Sequence, residues 1–102
     1  MSLPLILESG AGKTVQIRSS TCTFKLTGEE THGHFGLFEF VMPPETGGAS
    51  PHIHKALTEI FYVVEGEMEL VLDHETIPAG PGTLMRVPEN RRHGFSNPGK
   101  TP

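Results

Sequence analysis

Six histidines stand in this 102-residue chain, at His32, His34, His52, His54, His74 and His93, a heavy loading for a sequence with few other polar specialists. His52 and His54 are one residue apart, and in an extended segment that spacing points both imidazoles to one face. Glu59 follows on an apolar segment where it shares parity with Phe61 and Val63, so its carboxylate falls on an interior strand face. A buried carboxylate needs a partner, and a metal cation supplies one. Nitrogen and carboxylate donors without thiolate suit divalent Mn, Fe, Co, Ni, Cu or Zn. These three residues leave a fourth donor still to be found. His32 and His34 repeat the spacing but lack a glutamate at the matching interval, which makes them turn and strand-start residues; His74, between Asp73 and Glu75, reads as exposed.

Other chemistries fail on the residues. Gly10, Ala11, Gly12, Lys13 and Thr14 look like the end of a phosphate-binding loop, but the glycine required five positions before Gly12 is Leu7. Val15, Gln16 and Ile17 then continue as strand rather than as the helix whose N-terminus would hold phosphate. No Gly-x-Ser-x-Gly elbow is present, and the only aspartate, Asp73, lies in a polar turn, so a nucleophilic triad is unsupported. Cys22 shares a strand face with Phe24 and Leu26 and reads as a small core residue. Glu65, Glu67 and Glu69 read as a solvated strand edge rather than a glycosidase carboxylate pair.

The elements that must position the histidines are short strands. Thr21 to Thr27 alternates strictly, with Cys22, Phe24 and Leu26 on one face, as a half-buried strand does. Residues 28–31 read as a turn and Phe35 to Met42 as a second strand, ended by Pro43 and Pro44. A loop from Glu45 to Pro51 leads into Glu59 to Val64, apolar on both faces and expected to be a central strand. After a turn at Gly66, Met68, Leu70 and Leu72 face inward, and Leu84 to Val87 forms a further strand. No stretch of ten residues carries a 3.6-residue period. Six or seven short strands with frequent turns are the pattern of a sandwich or small barrel.

Composition agrees. Twelve glycines and nine prolines without a collagen period belong to turns, which favours an all-β chain forming one domain over residues 1–102. Eight Lys and Arg against twelve acids give a net charge of −4, the wrong sign for a nucleic-acid partner. The longest apolar run is Ile60 to Val64, so no membrane span or secretory leader is expected. A single cysteine excludes an intrachain disulfide framework and a thiolate metal cluster, and fits a cytoplasmic setting.

From Pro51 the chain reads P-H-I-H-K-A-L-T-E-I-F-Y-V-V-E-G, that is H-x-H-x4-E-x6-G at His52, His54, Glu59 and Gly66. This resembles the first signature of the cupin superfamily. Gly82 to Asn97, G-T-L-M-R-V-P-E-N-R-R-H-G-F-S-N, resembles the second, with Gly82, Pro88, His93 and Asn97 at the family spacing. Two positions depart from the pattern. The glycine expected six residues before His52 is Thr46, and the glycine expected after Pro88 and Glu89 is Asn90. Asparagine tolerates the left-handed backbone nearly as glycine does, so the turn is expected to be kept. The resemblance covers about residues 35 to 97. It implies a cupin-type jelly-roll barrel, a double-stranded β-helix, in which His52, His54, Glu59 and His93 bind one divalent metal ion.

Three imidazoles and a carboxylate leave one or two coordination positions for substrate or dioxygen. The expected function is that of a metal-dependent enzyme acting on a small molecule, with oxidation of the kind carried out by quercetinase-like dioxygenases leading. Isomerase or decarboxylase chemistry, or a non-catalytic metal or small-molecule binding module, are the alternatives. Glu59 is the candidate proton acceptor, while Phe61 and, more weakly, Phe40 are candidate apolar walls for the ligand. Arg86 reads as a surface residue. After Asn97 only Pro98, Gly99, Lys100, Thr101 and Pro102 follow, too little for the strand that cupin barrels usually add there. With the two-faced apolar strand Ile60 to Val64, that open edge leads to two alternative expectations: a homodimer, with the segment Leu3 to Leu7 as a candidate exchanged strand, or a longer chain of which these 102 residues are a part.

Overall fold

The computed structural model describes residues 4–48 and 51–102. Among them there is no helix, so none is long and apolar enough to cross a membrane. The chain divides into two compact units, Met1–Val41 and Met42–Pro102.

The first unit is an antiparallel meander of β1 (Lys13–Ile17), β2 (Ser20–Leu26) and β3 (Leu37–Val41). Ile17 pairs with Ser20 across a two-residue turn that Arg18 enters at φ +57°, the backbone that a tight hairpin demands. Lys13 and Thr14 open β1, so the glycine-rich stretch before them feeds a strand and not a phosphate-binding helix. Cys22 is buried, as its face requires, with Thr23 buried beside it. Phe24 meets Phe38 edge to face at a centroid distance of 5.3 Å. The strand expected over Phe35 to Met42 is confined to β3, because His34 to Gly36 belong to the turn region that Thr31 organises: its hydroxyl donates to the Phe35 carbonyl at 2.6 Å. His32 sits in that turn with φ +56°. The candidate exchanged segment is not a strand over Pro4 to Leu7, and Leu3 lies outside the described residues.

The second unit carries the candidate site. It contains β4 (Thr46–Gly47), β5 (His52–Ile53), β6 (Glu59–Tyr62), β7 (Met68–Leu72), β8 (Glu75–Ala79), β9 (Leu84–Val87) and β10 (Arg92–Asn97). β10 is the hub: β7 pairs with one edge, and β4 and β5 pair with the other. β8 closes the far side of β7 and carries Pro78, a residue that an outer strand tolerates. β6 and β9 pair only with each other among the described residues. Val63, Leu70, Ala79, Met85 and Val87 form the buried core, with Phe61, Met68, Leu72, Ile77 and Phe95 packed on it.

Three expectations change here. The strand from Glu59 is not central, since it has one partner among the described residues and leaves Ile60, Tyr62 and Val64 exposed; runs of apolar residues on both faces do not require burial on both. Glu69 does not mark a sheet edge, because β7 lies between β10 and β8 and places Glu69 opposite Ser96 and Pro78. Ten strands stand among the described residues where six or seven were expected, because two-residue strands such as β4 and β5 carry no periodicity to read.

Buried Asn97 ends β10 and ties down what surrounds it. Its side-chain amide donates to the carbonyls of Met42 at 3.0 Å and Thr101 at 2.9 Å, and its oxygen accepts from the Gly99 N–H at 2.9 Å. The position that the second signature fixes is thus a staple, satisfied on both its polar ends.

Candidate metal centre

His52 and His93 are opposite residues in the antiparallel β5–β10 ladder. Opposed residues project to the same face, so the register alone brings the two imidazoles together, with ring centroids 4.5 Å apart. Ile53 points away and His54 returns to the first face, its Nε2 lying 3.1 Å from that of His52. Glu59 opens β6, where its pairing with Val87 and its shared parity with Phe61 turn the carboxylate inward. Its Oε1 lies 2.5 Å from His54 Nε2 and 3.2 Å from His93 Nε2.

One ligand atom from each of His52, His54, Glu59 and His93 lies within 4.8 Å of every other. A small divalent cation bonded at about 2.0–2.2 Å spaces adjacent donors by about 3 Å and opposite ones by about 4.2 Å. The four donors therefore fit around one ion. Burial grades across the set: His93 is only 1% exposed, whereas His54 and Glu59 are partly exposed.

His93 is also oriented. Its Nδ1 lies 3.0 Å from the Arg91 carbonyl, which can only accept, so Nδ1 carries the proton and Nε2 presents its lone pair to the cluster. Arg91 in turn is held by a forked contact from its guanidinium to the Asp73 carboxylate, on the β7–β8 turn. That hydrogen bond holds the Asp73 carboxyl below its ordinary range and raises Arg91 further. Neither role was read from the sequence. A backbone acceptor has no side-chain signature, and Asp73 shows only as a turn residue.

Asn90 takes the left-handed backbone at φ +66°, and its N–H donates to the His54 carbonyl at 2.7 Å. The substitution of asparagine for glycine thus keeps the turn and ties the loop before β10 to the second histidine. Phe61 lies against the site, its ring centroid 6.0 Å from that of His93 and 5.4 Å from that of Phe95. Phe40 lies on β3 in the first unit, opposite Cys22. Arg86 and His74 are exposed.

Comparison with known proteins places this geometry in context. The model of the Cupin domain matches residues 38–102. The chain is 29% identical over 94 residues to the quercetin 2,3-dioxygenase of Bacillus subtilis (strain 168), a match that covers 92% of this chain and 28% of that protein. It is 39% identical over 69 residues to the polyketide synthase CurC of Streptomyces cyaneus, covering 68% of this chain and 43% of that one. The chain therefore spans less than half the length of either curated relative. Among solved structures, a predicted oxalate decarboxylase from Thermotoga maritima superposes with a TM-score of 0.83 at 22% identity, covering 95% of this chain and 90% of that chain. The plu4264 protein from Photorhabdus luminescens gives 0.71 at 21% identity, covering 98% of this chain and 80% of that one. At those identities the likeness shows the fold, the all-β cupin-type jelly roll.

Proposed function

The chain belongs to the cupin family, and from that premise we propose that it is a metal-dependent enzyme that oxidises a small, oxygen-bearing molecule with dioxygen. The observation that carries this reading is the convergence of three imidazoles and one carboxylate within 4.8 Å. One divalent ion, of Mn, Fe, Co, Ni, Cu or Zn, would be held by His52, His54, Glu59 and His93. When bound, such an ion supplies Lewis-acid activation of a chelating oxygen pair and, where it is redox-active, a path for electrons between substrate and dioxygen. The likeness to a quercetin 2,3-dioxygenase supports oxidation, and a polyketide-synthase relative supports a substrate with closely spaced oxygens. Both atoms of dioxygen enter the product, so no external reductant is needed.

The chain's own residues prepare the site. Nδ1 of His93, donating to the Arg91 carbonyl, fixes the ring so that Nε2 faces the cluster. Oε1 of Glu59 lies beside Nε2 of both His54 and His93, on the side where the ion would be held, which leaves Oε2 to take a hydroxyl proton from the substrate. Phe61 offers an apolar surface beside His93 for a flat ligand.

Elemental analysis followed by oxygen uptake with flavonols, diketones and thiols tests the proposal. A bound transition metal with substrate-dependent uptake on one of these classes is the expected result. Stoichiometric ligand binding by metal-loaded protein, with no turnover on any class, would instead make the chain a binding module.

A further inference from the structure

A neutral imidazole has one ring proton, and two acceptors compete for it on His93. The Arg91 carbonyl lies 3.0 Å from Nδ1, and Oε1 of Glu59 lies 3.2 Å from Nε2. Only with the proton on Nδ1 does Nε2 offer a lone pair to an ion. A carboxylate is the stronger acceptor of the two, so the neutral carbonyl keeps the proton only while it is well placed. The segment that carries this carbonyl is fastened to Asp73, on the turn between β7 and β8. The Arg91 guanidinium forks onto the Asp73 carboxylate through Nε, at 3.1 Å, and Nη2. The Asp73 N–H donates to the Arg92 carbonyl at 2.7 Å, and Nη1 of Arg92 donates to the Asp73 carbonyl at 2.8 Å. Just upstream, the Asn90 N–H holds the His54 carbonyl.

We propose that Asp73, through its fork to Arg91, is a positioning residue for the metal centre: it holds the Arg91 carbonyl on Nδ1 of His93 and so keeps Nε2 open to the ion. This rests on the four-ligand reading of the site. Asp73 touches neither the ion nor a ligand of it and acts only through Arg91. The two side chains are 46% and 44% exposed, a setting in which an ion pair adds little to stability. Its effect here is directional. Both main-chain polar groups of Asp73 are bonded to Arg92, so the carboxylate that Arg91 reaches is a fixed anchor, and a two-nitrogen fork sets the angle of the guanidinium as well as its distance. With Arg91 held at its side chain and Arg92 at its carbonyl and side chain, the peptide between them has no freedom to turn its carbonyl away from His93.

Two variants remove the fork and little else. Asp73→Asn suits the φ of +55° at that position but lacks the charge, and Arg91→Met keeps an unbranched stem without the guanidinium. In metal-free protein at about pH 9, above the ordinary imidazole range, the nitrogen NMR shifts of the His93 ring read which nitrogen carries the proton. The ratio of Nδ1–H to Nε2–H is expected to fall about 3-fold or more in each variant, the worth of one weakened hydrogen bond. Zinc affinity, measured by competition with a chelator, is expected to fall about 10-fold in each. The double variant loses no more than the single ones, because the two residues act as one unit. Lys100→Gln, which removes the exposed Lys100–Glu45 pair, leaves both readouts at their native values. Should Arg91→Met fail to fold, Arg91→Lys, which keeps the charge and loses the fork, is read in the same way. A His93 proton ratio that stays native in the folded variants overturns the proposal, and so do losses that add in the double variant. Zinc bound equally well by the native protein and both variants also overturns it, and leaves the four-ligand site standing. A native protein that binds no zinc removes the site itself, and the proton ratio then decides alone whether Asp73 orients His93.

Discussion

His52 and His93, forty-one positions apart in the chain, face each other directly in the β5–β10 ladder with their rings 4.5 Å apart. β5 is only two residues long and its histidine is half-buried, so the site's geometry does not come from β5 itself. It comes from β10, which β7 pins along its other edge at His93, Gly94, Phe95 and Ser96. The most buried ligand candidate is therefore carried by the best-supported strand, and the more exposed donors assemble around it.

Replacing Glu59 separates chemistry from binding. Glu59→Gln keeps the shape and one oxygen donor but cannot take a proton. With metal content matched to the native protein, turnover on a confirmed substrate is expected to fall about 100-fold or more while KM changes little. Steady-state kinetics on the two loaded proteins checks this, and full turnover in the variant would remove Glu59 from proton transfer.

The loop before β10 depends on one backbone angle. Asn90→Gly keeps φ near +66° available and is expected to leave stability within about 1 kcal/mol of native. Asn90→Val forces a β-branched residue into the left-handed region and costs about 1–2 kcal/mol or more. Urea unfolding of both variants measures the difference. Because Asn90 N–H holds the His54 carbonyl, the valine variant also binds metal more weakly than the glycine variant.

How far the site was legible follows from the kind of signal each residue carries. His52, His54 and Glu59 were readable from spacing, because a period of two fixes the face of a side chain whatever the strand's length. His93 was not; its place depends on a cross-strand register, which only the resemblance to a known signature supplied. The outward exposure of Ile60 and Tyr62 was misread as central burial, since an apolar side chain looks the same in a sequence whether the protein's own core or another surface covers it. The Arg91 carbonyl and its anchor on Asp73 left no trace, because main-chain acceptors belong to every residue.

Asp73 gives a pH dependence of known sign. The hydrogen bond from Arg91 holds its folded pKa below the unfolded value, so its contribution is complete above the ordinary aspartate range, near about 3.9, and is lost as pH falls through the lower folded value. The native protein should therefore be more stable than Asp73→Asn at neutral pH, and the gap should close in acid. Thermal melts of both proteins across that range test it; a gap that widens on acidification would contradict the assignment.

The central claim is that His52, His54, Glu59 and His93 together hold one divalent ion. Metal content after exhaustive dialysis against chelator, reloading with a single metal and removal of the excess tests it most directly, on the native protein beside His93→Ala. One ion per chain is expected in the native protein, and less than about a tenth of that in the variant, which loses its buried nitrogen donor and leaves Glu59 less well compensated. Equal metal content in the two, with the variant folded, would contradict the claim.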